Sequence, residues 1–454
     1  MPRYQTFCLV LIATACNAWA LEAPDGIGDE GELTPGTARP WRPEEVPSLF
    51  SKSETTLSTA FYSRNRHATD HWGDIHVNAL GLGLDWRSGY AAGPWGFLGA
   101  DLSAFANLRL APGIGLSEVL YHDYGDNTDK SYAVLAQAAL KWRSTPSGDG
   151  WQVRAGYAPI TVGTLGTSGG LHPHAYRGAE LTYRASGWEA AYGWADRFRN
   201  EWDDTFRPMT NAWHQNRGAY AGTARRIAHV HSIGLRRDAD GGNYVDAGIG
   251  EGSSYRRNAQ VAASRAWPLA EKRSLRLTGY VLWGRYQAAL GPSPAPRDEW
   301  HASASTTYAS GPLSLSLGIG ATHAPDSREM NFRLTPWGNS DNRNRIQTWG
   351  QLDDFVWDGT RVLKAAVACQ VGNHIGLPGL AIGASVNRGW AVRNPGRGNT
   401  TADEIDLSLT YQALSGALKG AAFGIFPARL RTHGFYGKSD RNDVKLTASY
   451  SRTF

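Results

Sequence analysis

From Thr55 onward the chain is written in short segments whose apolar side chains fall on every second residue. A repeat of two puts those side chains on one face of an extended strand, whereas a helix would need a repeat near 3.6. Within 75–87, Leu80, Leu82, Leu84 and Trp86 share a face. Within 96–108, Leu98, Ala100, Leu102, Ala104, Ala106 and Leu108 oppose Asp101 and Ser103. Within 131–142, Tyr132, Val134, Ala136, Ala138, Leu140 and Trp142 oppose Gln137 and Lys141, with an aromatic at each end of the apolar row. At about 3.3 Å per residue and a tilt of about 40°, Tyr132 to Trp142 covers about 25 Å along a membrane normal, the height of an apolar band between two aromatic girdles. The expectation is that Ala136 faces lipid and Gln137 faces inward.

Eighteen such segments can be counted: 55–65, 75–87, 96–108, 131–142, 151–157, 176–184, 188–197, 228–237, 243–250, 256–267, 274–286, 299–308, 313–321, 360–371, 379–390, 403–412, 418–426 and 443–454. The connections alternate between short turns and longer loops, of which 198–227 and 322–359 are the longest and 251–255 is a short exception. Short turns on one rim and long loops on the other predict a transmembrane antiparallel β-barrel with periplasmic turns and extracellular loops. The final segment carries Val444, Leu446, Ala448, Tyr450, Arg452 and Phe454 on one face and Asp443, Lys445, Thr447, Ser449, Ser451 and Thr453 on the other. A closing strand ending on an aromatic is what outer-membrane barrel assembly machinery reads; Arg452 departs from that pattern. A half-buried final strand of a soluble sheet would show the same alternation.

The first 20 residues read as a secretory signal peptide: Arg3, the apolar run FCLVLIATA, and the small-residue site Ala18-Trp19-Ala20. A lipoprotein reading at Cys16 lacks the expected leucine upstream. Residues 21–50 are acidic and rich in Pro and Gly, without periodicity, and read as a flexible segment before a barrel domain over 51–454. Removing the signal peptide takes Cys8 and Cys16 with it, leaving Cys369 without a disulfide partner. With 53 Gly, 18 Trp and 19 Tyr and no later apolar run of spanning-helix length, the composition suits a barrel. Lys+Arg 46 against Asp+Glu 41, interspersed, gives no nucleic-acid footprint.

Several motifs invite chemistry. Gly166 to Gly170 fits G-x-S-x-G around Ser168, yet no helical period follows to build a nucleophile elbow. His229 and His231 share a face without a third ligand at metal spacing. Asp353, Asp354 and Asp358 could hold a divalent cation between lipopolysaccharide groups. Cys369 has the parity of Leu363, Ala365 and Val367 and is expected to face lipid. No cofactor or metal is expected.

The runs SGYAAGPWGF (88–97), 153–187, TPWGNSDNRNRIQTWGQLDDFVWDG (335–359) and LPGLAIGASVNRGW (377–390) resemble the OprD family of outer-membrane porins, and within it most nearly the chitoporin branch. The resemblance implies a monomeric eighteen-stranded barrel, a third external loop folded into the lumen, here 158–175, and passive uptake of small nutrients. For the chitoporin branch these are chitooligosaccharides; for other branches, basic amino acids or small carboxylates. Expected solute contacts are Asp101, Arg154, His172, His174, Glu180, Glu189, Arg276, Tyr280, Lys364, Trp337 and Trp349. Parity turns Lys141, Glu404 and Asp406 inward as well. Trp202, Trp213, Trp337, Trp349 and Trp357 in the two longest loops suggest aromatic platforms for sugar rings, or anchors at the membrane interface. Outer-membrane lipid and lipopolysaccharide are the expected surroundings. A barrel hydrolase and a plugged adhesive barrel are the competing readings.

Overall fold

The structure, a computed structural model, describes residues 49–454 except 51, 70–73, 115–118, 124–127, 168–170, 213–220, 337–344, 395–397 and 434–438. The expected signal peptide, most of the acidic segment, Ser168, Trp213 and Trp337 fall outside the described residues.

Eighteen long strands form one antiparallel sheet: β1 (Glu54–Ala68), β2 (Ile75–Arg87), β3 (Gly96–Arg109), β4 (Tyr132–Arg143), β5 (Gly150–Ala158), β6 (Ala175–Ala185), β7 (Trp188–Arg199), β8 (Val230–Ala239), β9 (Asn243–Gly252), β10 (Arg256–Ala270), β11 (Arg273–Tyr286), β12 (Asp298–Ser310), β13 (Leu313–His323), β14 (Arg361–Cys369), β15 (Leu380–Asn394), β16 (Gly398–Gln412), β17 (Ala422–Arg431) and β18 (Arg441–Thr453). Each pairs with its neighbour in sequence, and β18 returns to β1 from Thr56 opposite Thr453 to Ala68 opposite Arg441. Closure leaves no sheet edge, so backbone N–H and C=O groups at membrane depth are paired around the ring. The final residue joins this seam, Phe454 and Thr55 exchanging backbone hydrogen bonds of 2.9 and 3.2 Å. Arg452, the odd residue of the apolar face, lies 5.1 Å over the Phe454 ring.

The outer face follows the alternation. Leu82, Leu102, Ile249, Val281, Leu317, Ile405 and Leu446 all point away from the lumen and are exposed on the isolated chain. Two-residue turns such as Ser186-Gly187, with φ of 51° and 76°, join strands on the periplasmic rim. Two differences from the expected outline stand out. The β15–β16 hairpin is taller than the alternation suggested, because a register shift between Gly389 and Val392 lets pairing resume up to Asn394 and Gly398. In β4, Ser103 faces Gln137 while Ala104 faces Leu135, so Ala136 is an extra residue.

That β-bulge reverses the parity of half a strand. Beyond it Ala138, Leu140 and Trp142 keep the outward face, but before it Leu135 points out (59 % exposed) and Tyr132 points in (8 %). Ala136, expected against lipid, is 2 % exposed at the bulge. Cys369 also departs from expectation: at the periplasmic end of β14 it is 2 % exposed, covered rather than set against lipid.

Candidate functional site: a pore narrowed by two inward segments

The lumen is not an open pipe, because two loops fold back onto its inner wall. The first, 159–174, follows β5 and runs across β7 to β10. Glycines make the close approach possible: a Cβ on Gly248 would lie 2.3 Å from the Gly163 Cα, and one on Gly234 would lie 2.7 Å from the Gly163 N. Gly163 itself has φ of 54°, the left-handed region that glycine enters without steric cost. With side chains absent at these glycines, the segment's backbone comes within reach of polar side chains on the wall. Thr164 N donates to Ser232 Oγ at 2.9 Å, and Gln260 Nε2 donates to Gly163 O at 2.6 Å. Ile160, Val162 and Leu165 then bury against Phe198, Val230, Tyr255 and Tyr286, each buried aliphatic contributing about 1.5–3 kcal/mol.

The far end of this segment is fastened to β2 and β3. Leu171 packs with Tyr62, Ile75 and Val77. His172 is 2 % exposed and stacks on Phe105, ring centroids 4.1 Å apart at 8°. Asn107 Nδ2 donates to Val119 O and Tyr132 Oη, which turns Asn107 Oδ1 toward His172 Nε2 at 2.7 Å, so Nε2 carries the hydrogen. Burial, aided by the positive charge of Arg199, pushes the His172 pKa down from 6.5 to about 3. This histidine is neutral and structural, and His174, 5 % exposed and edge-on to Trp202 at 5.5 Å, is likewise covered. Neither is free to meet a solute as the sequence suggested.

The second segment belongs to the 322–359 connection, expected outside the barrel; its described residues 324–336 and 345–360 fold back against the inner wall. Ser327 N and Oγ both donate to Glu299 Oε1 (2.9 and 2.7 Å), while Glu299 Oε2 holds Arg256 Nη1 at 2.6 Å with both side chains fully buried. Further along, Arg345 reaches Asp246 at 3.0 Å and Gln347 N donates to Ser303 Oγ. Lys364 Nζ caps Trp349 O at 2.5 Å, Leu352 N donates to Glu404 Oε1 at 2.6 Å, and Gln351 Nε2 reaches Asp443 Oδ2, the partner of Arg64. The segment thus crosses the wall from β9 to β18. Met330, Phe332, Ile346, Trp349 and Val356 bury against Tyr280 and Leu282. Tyr280 (1 % exposed) and Trp349 (9 %) therefore pack against each other's loop and wall instead of lining the water path. Asp353 accepts from Phe355 N and Trp357 Nε1, and Asp358 from Ala324 N, so these carboxylates close the loop on itself. Among the described residues no group of three or more potential metal ligands assembles.

What remains open is a charged wall toward the periplasmic half. Lys141 pairs with Asp101 at 2.6 Å, Arg154 with Glu180 at 3.1 Å, Arg184 with Glu189 at 2.5 Å, and Arg236 with Asp246 at 3.8 Å. In the first three pairs the cation is the more exposed partner: 14 against 10 %, 31 against 21 %, and 42 against 32 %; Arg236, 45 % exposed, is held most closely by Asp238 at 2.8 Å, a carboxylate 62 % exposed. In those three pairs the carboxylates sit back against the strands and the cations stand forward. Arg276 continues the series on β11, its guanidinium near Gly241 O and Gly242 O at 3.3 and 3.5 Å. Asp101, Arg154, Glu180, Glu189 and Arg276 all lie on this wall, whereas Lys364 is engaged by the second inward segment. Arg184 and Arg236 were missed, although parity with Glu180 and with Ser232 places both inward; Arg345 carried no such signal, since its place depends on the loop.

Comparison with known proteins agrees with this architecture. Residues 261–454 match the family described as outer membrane porin, OprD family. Among curated proteins none matches the chain at a significant level. Solved structures share the fold: Pseudomonas aeruginosa OpdK, determined with vanillate, superposes with a TM-score of 0.75 at 17% identity over 90% of this chain and 100% of that one. Pseudomonas aeruginosa OccK9 (OpdG) gives 0.76 at 18% identity over 90% and 100%. Acinetobacter baumannii OccAB1 gives 0.78 at 15% identity over 91% and 99%.

Proposed function

We propose that this chain is an outer-membrane porin of the OprD type, a passive channel selective for small solutes that carry a carboxylate. The observation behind this reading is the forward placement of Arg154 and Arg184 along the narrowed lumen, with Arg236 and Arg276 beyond them. A carboxylate can pass from one guanidinium to the next, each contact strong enough to admit it and shared enough with Glu180, Glu189 or Asp238 to release it. The fold shared with OpdK, whose structure holds the aromatic carboxylate vanillate, supports the same class of solute.

Chitooligosaccharide uptake is the second reading. It draws on the near balance of cations and carboxylates on the wall, and on the resemblance of 335–359 and 377–390 to chitoporins. Its aromatic platform is weakened by the burial of Trp349. Single-channel recording with benzoate, arginine and chitohexaose separates the two. Benzoate-dependent blockade that disappears in Arg154→Gln/Arg236→Gln is the expected result, and blockade by the sugar alone would move the assignment to oligosaccharides.

A further inference from the structure

The lipid-facing side of β14 to β17 carries charge among its aliphatic rows. Directly paired residues on neighbouring strands share a face. Arg388 pairs with Leu363 on one side and Asp403 on the other, and Arg429 pairs with Ile405, itself paired with Val386. Leu363, Val386 and Ile405 are about half exposed and meet lipid. Arg361, one outward position nearer the extracellular end of β14 than Leu363, pairs with Trp390, and Arg431 pairs with Asp403. Asp403 lies 3.7 Å from Arg388 and 2.9 Å from His433, and Arg431 turns to Asp440 at 2.5 Å. Four arginines thus face two carboxylates, and among the described residues Arg361 and Arg429 make no ion pair.

An arginine in a lipid-facing row is costly unless its head reaches water or an anion. Arg361 and Arg429 lie at the extracellular ends of their strands, on the side of the long loops, and Arg388, midway along β15, is level with Leu363, two residues from the extracellular end of β14. We propose that this face binds the phosphate groups of a phosphorylated glycolipid in the outer leaflet. Each planar guanidinium can grip a phosphate with two parallel hydrogen bonds, and Trp390 beside Arg361 suits the interface where such headgroups lie. Acyl chains of the same lipid run down over Leu363, Val386 and Ile405. The patch therefore matches both ends of one molecule, which free phosphate does not.

The test uses the full chain in nanodiscs and native mass spectrometry, with a bisphosphorylated acylated glucosamine disaccharide and the same lipid stripped of its phosphates as probes. The unmodified protein is expected to retain the phosphorylated lipid about tenfold or more over the stripped one, in keeping with the contribution of several arginines at an anionic surface. Arg361→Gln/Arg388→Gln/Arg429→Gln removes that preference with single-channel conductance unchanged. Arg257→Gln/Arg285→Gln, altering lipid-side arginines already paired with Glu251 and Asp298, keeps it. Equal retention of the two lipids by the unmodified protein overturns the proposal, even if the triple variant fails to fold. So does an undiminished preference in a folded triple variant, or displacement by millimolar inorganic phosphate.

Discussion

The two inward segments narrow the same lumen by different physics. The 159–174 segment lies on a stripe of glycines and is held by backbone approach and buried aliphatics, with few charges involved. The 324–360 segment is tied by polar anchors: Glu299 with Arg256 near one end, Arg345 with Asp246 in the middle, and Asp443 with Arg64 toward the other. Contact by shape tolerates no added volume, whereas contact by buried charge tolerates no missing partner. Each segment should therefore fail to a different kind of substitution.

The largest effect is expected from the second. Glu299→Gln would leave Arg256, fully buried beneath the Tyr286 ring, without its carboxylate, a loss of about 3–5 kcal/mol for a broken buried pair. The amide keeps a single oxygen, which can accept from Arg256 or from Ser327 N and Oγ but not from both sides. Hydrogen exchange should rise over 324–335 and single-channel conductance should increase or become noisy. Arg256→Met/Glu299→Leu, which removes both charges, should recover much of the order. Unchanged exchange in the single variant would mean that this anchor is not what holds the segment.

An intermediate effect is expected from the first. Gly248→Val puts a side chain where the Gly163 backbone now sits, and overpacking of this kind costs about 1–3 kcal/mol. Exchange should rise over 159–167 and stay as it was over 324–335, reversing the pattern of Glu299→Gln. Gly279→Val, at a position with nothing within 4 Å of an added Cβ, serves as the control. If Gly248→Val loosened both segments equally, the distinction between the two docking modes would fall.

The same contrast explains what could be seen in the chain before its structure. The outer wall was legible because alternation is local: Leu363, Ala365 and Val367 declare their face without reference to any other strand. It misled where small residues fit both faces, as in the Ala136-Gln137-Ala138-Ala139 run, in which one bulged residue exchanges inside for outside at no apparent cost in pattern. The position of 159–174 came from family resemblance, not from a periodic signal. The 322–359 connection reads as exterior because it is long and belongs to the long-loop rim, and the partners that draw it inward lie far away in sequence: Arg345 with Asp246, Gln351 with Asp443. Arg236 could have been found by parity; Tyr280 and Trp349 were placed on the water path because nothing in their neighbourhood announces a covering loop.

The smallest effect concerns pH and sharpens the account of the first segment. His172 is docked with Nε2–H on Asn107 and its ring on Phe105, and burial holds its pKa near 3 against 6.5 in the unfolded or released state. A depressed folded pKa means that the docked form gains its full stability above about pH 6.5 and loses it as pH falls from there toward about 3, because the released form then binds a proton that the docked form refuses. At pH 5.5, one unit below the released-state pKa, the expected loss is about 1.4 kcal/mol. Exchange over 159–174 should therefore increase between pH 7.5 and 5.5 after correction for the intrinsic rate, while exchange over 324–335 should not follow it. His172→Phe keeps a flat ring against Phe105 and removes the titration, so it should abolish the pH dependence at the expense of the Asn107 bond. A pH response of 159–174 that survives in His172→Phe would show that another group governs the docking of this segment.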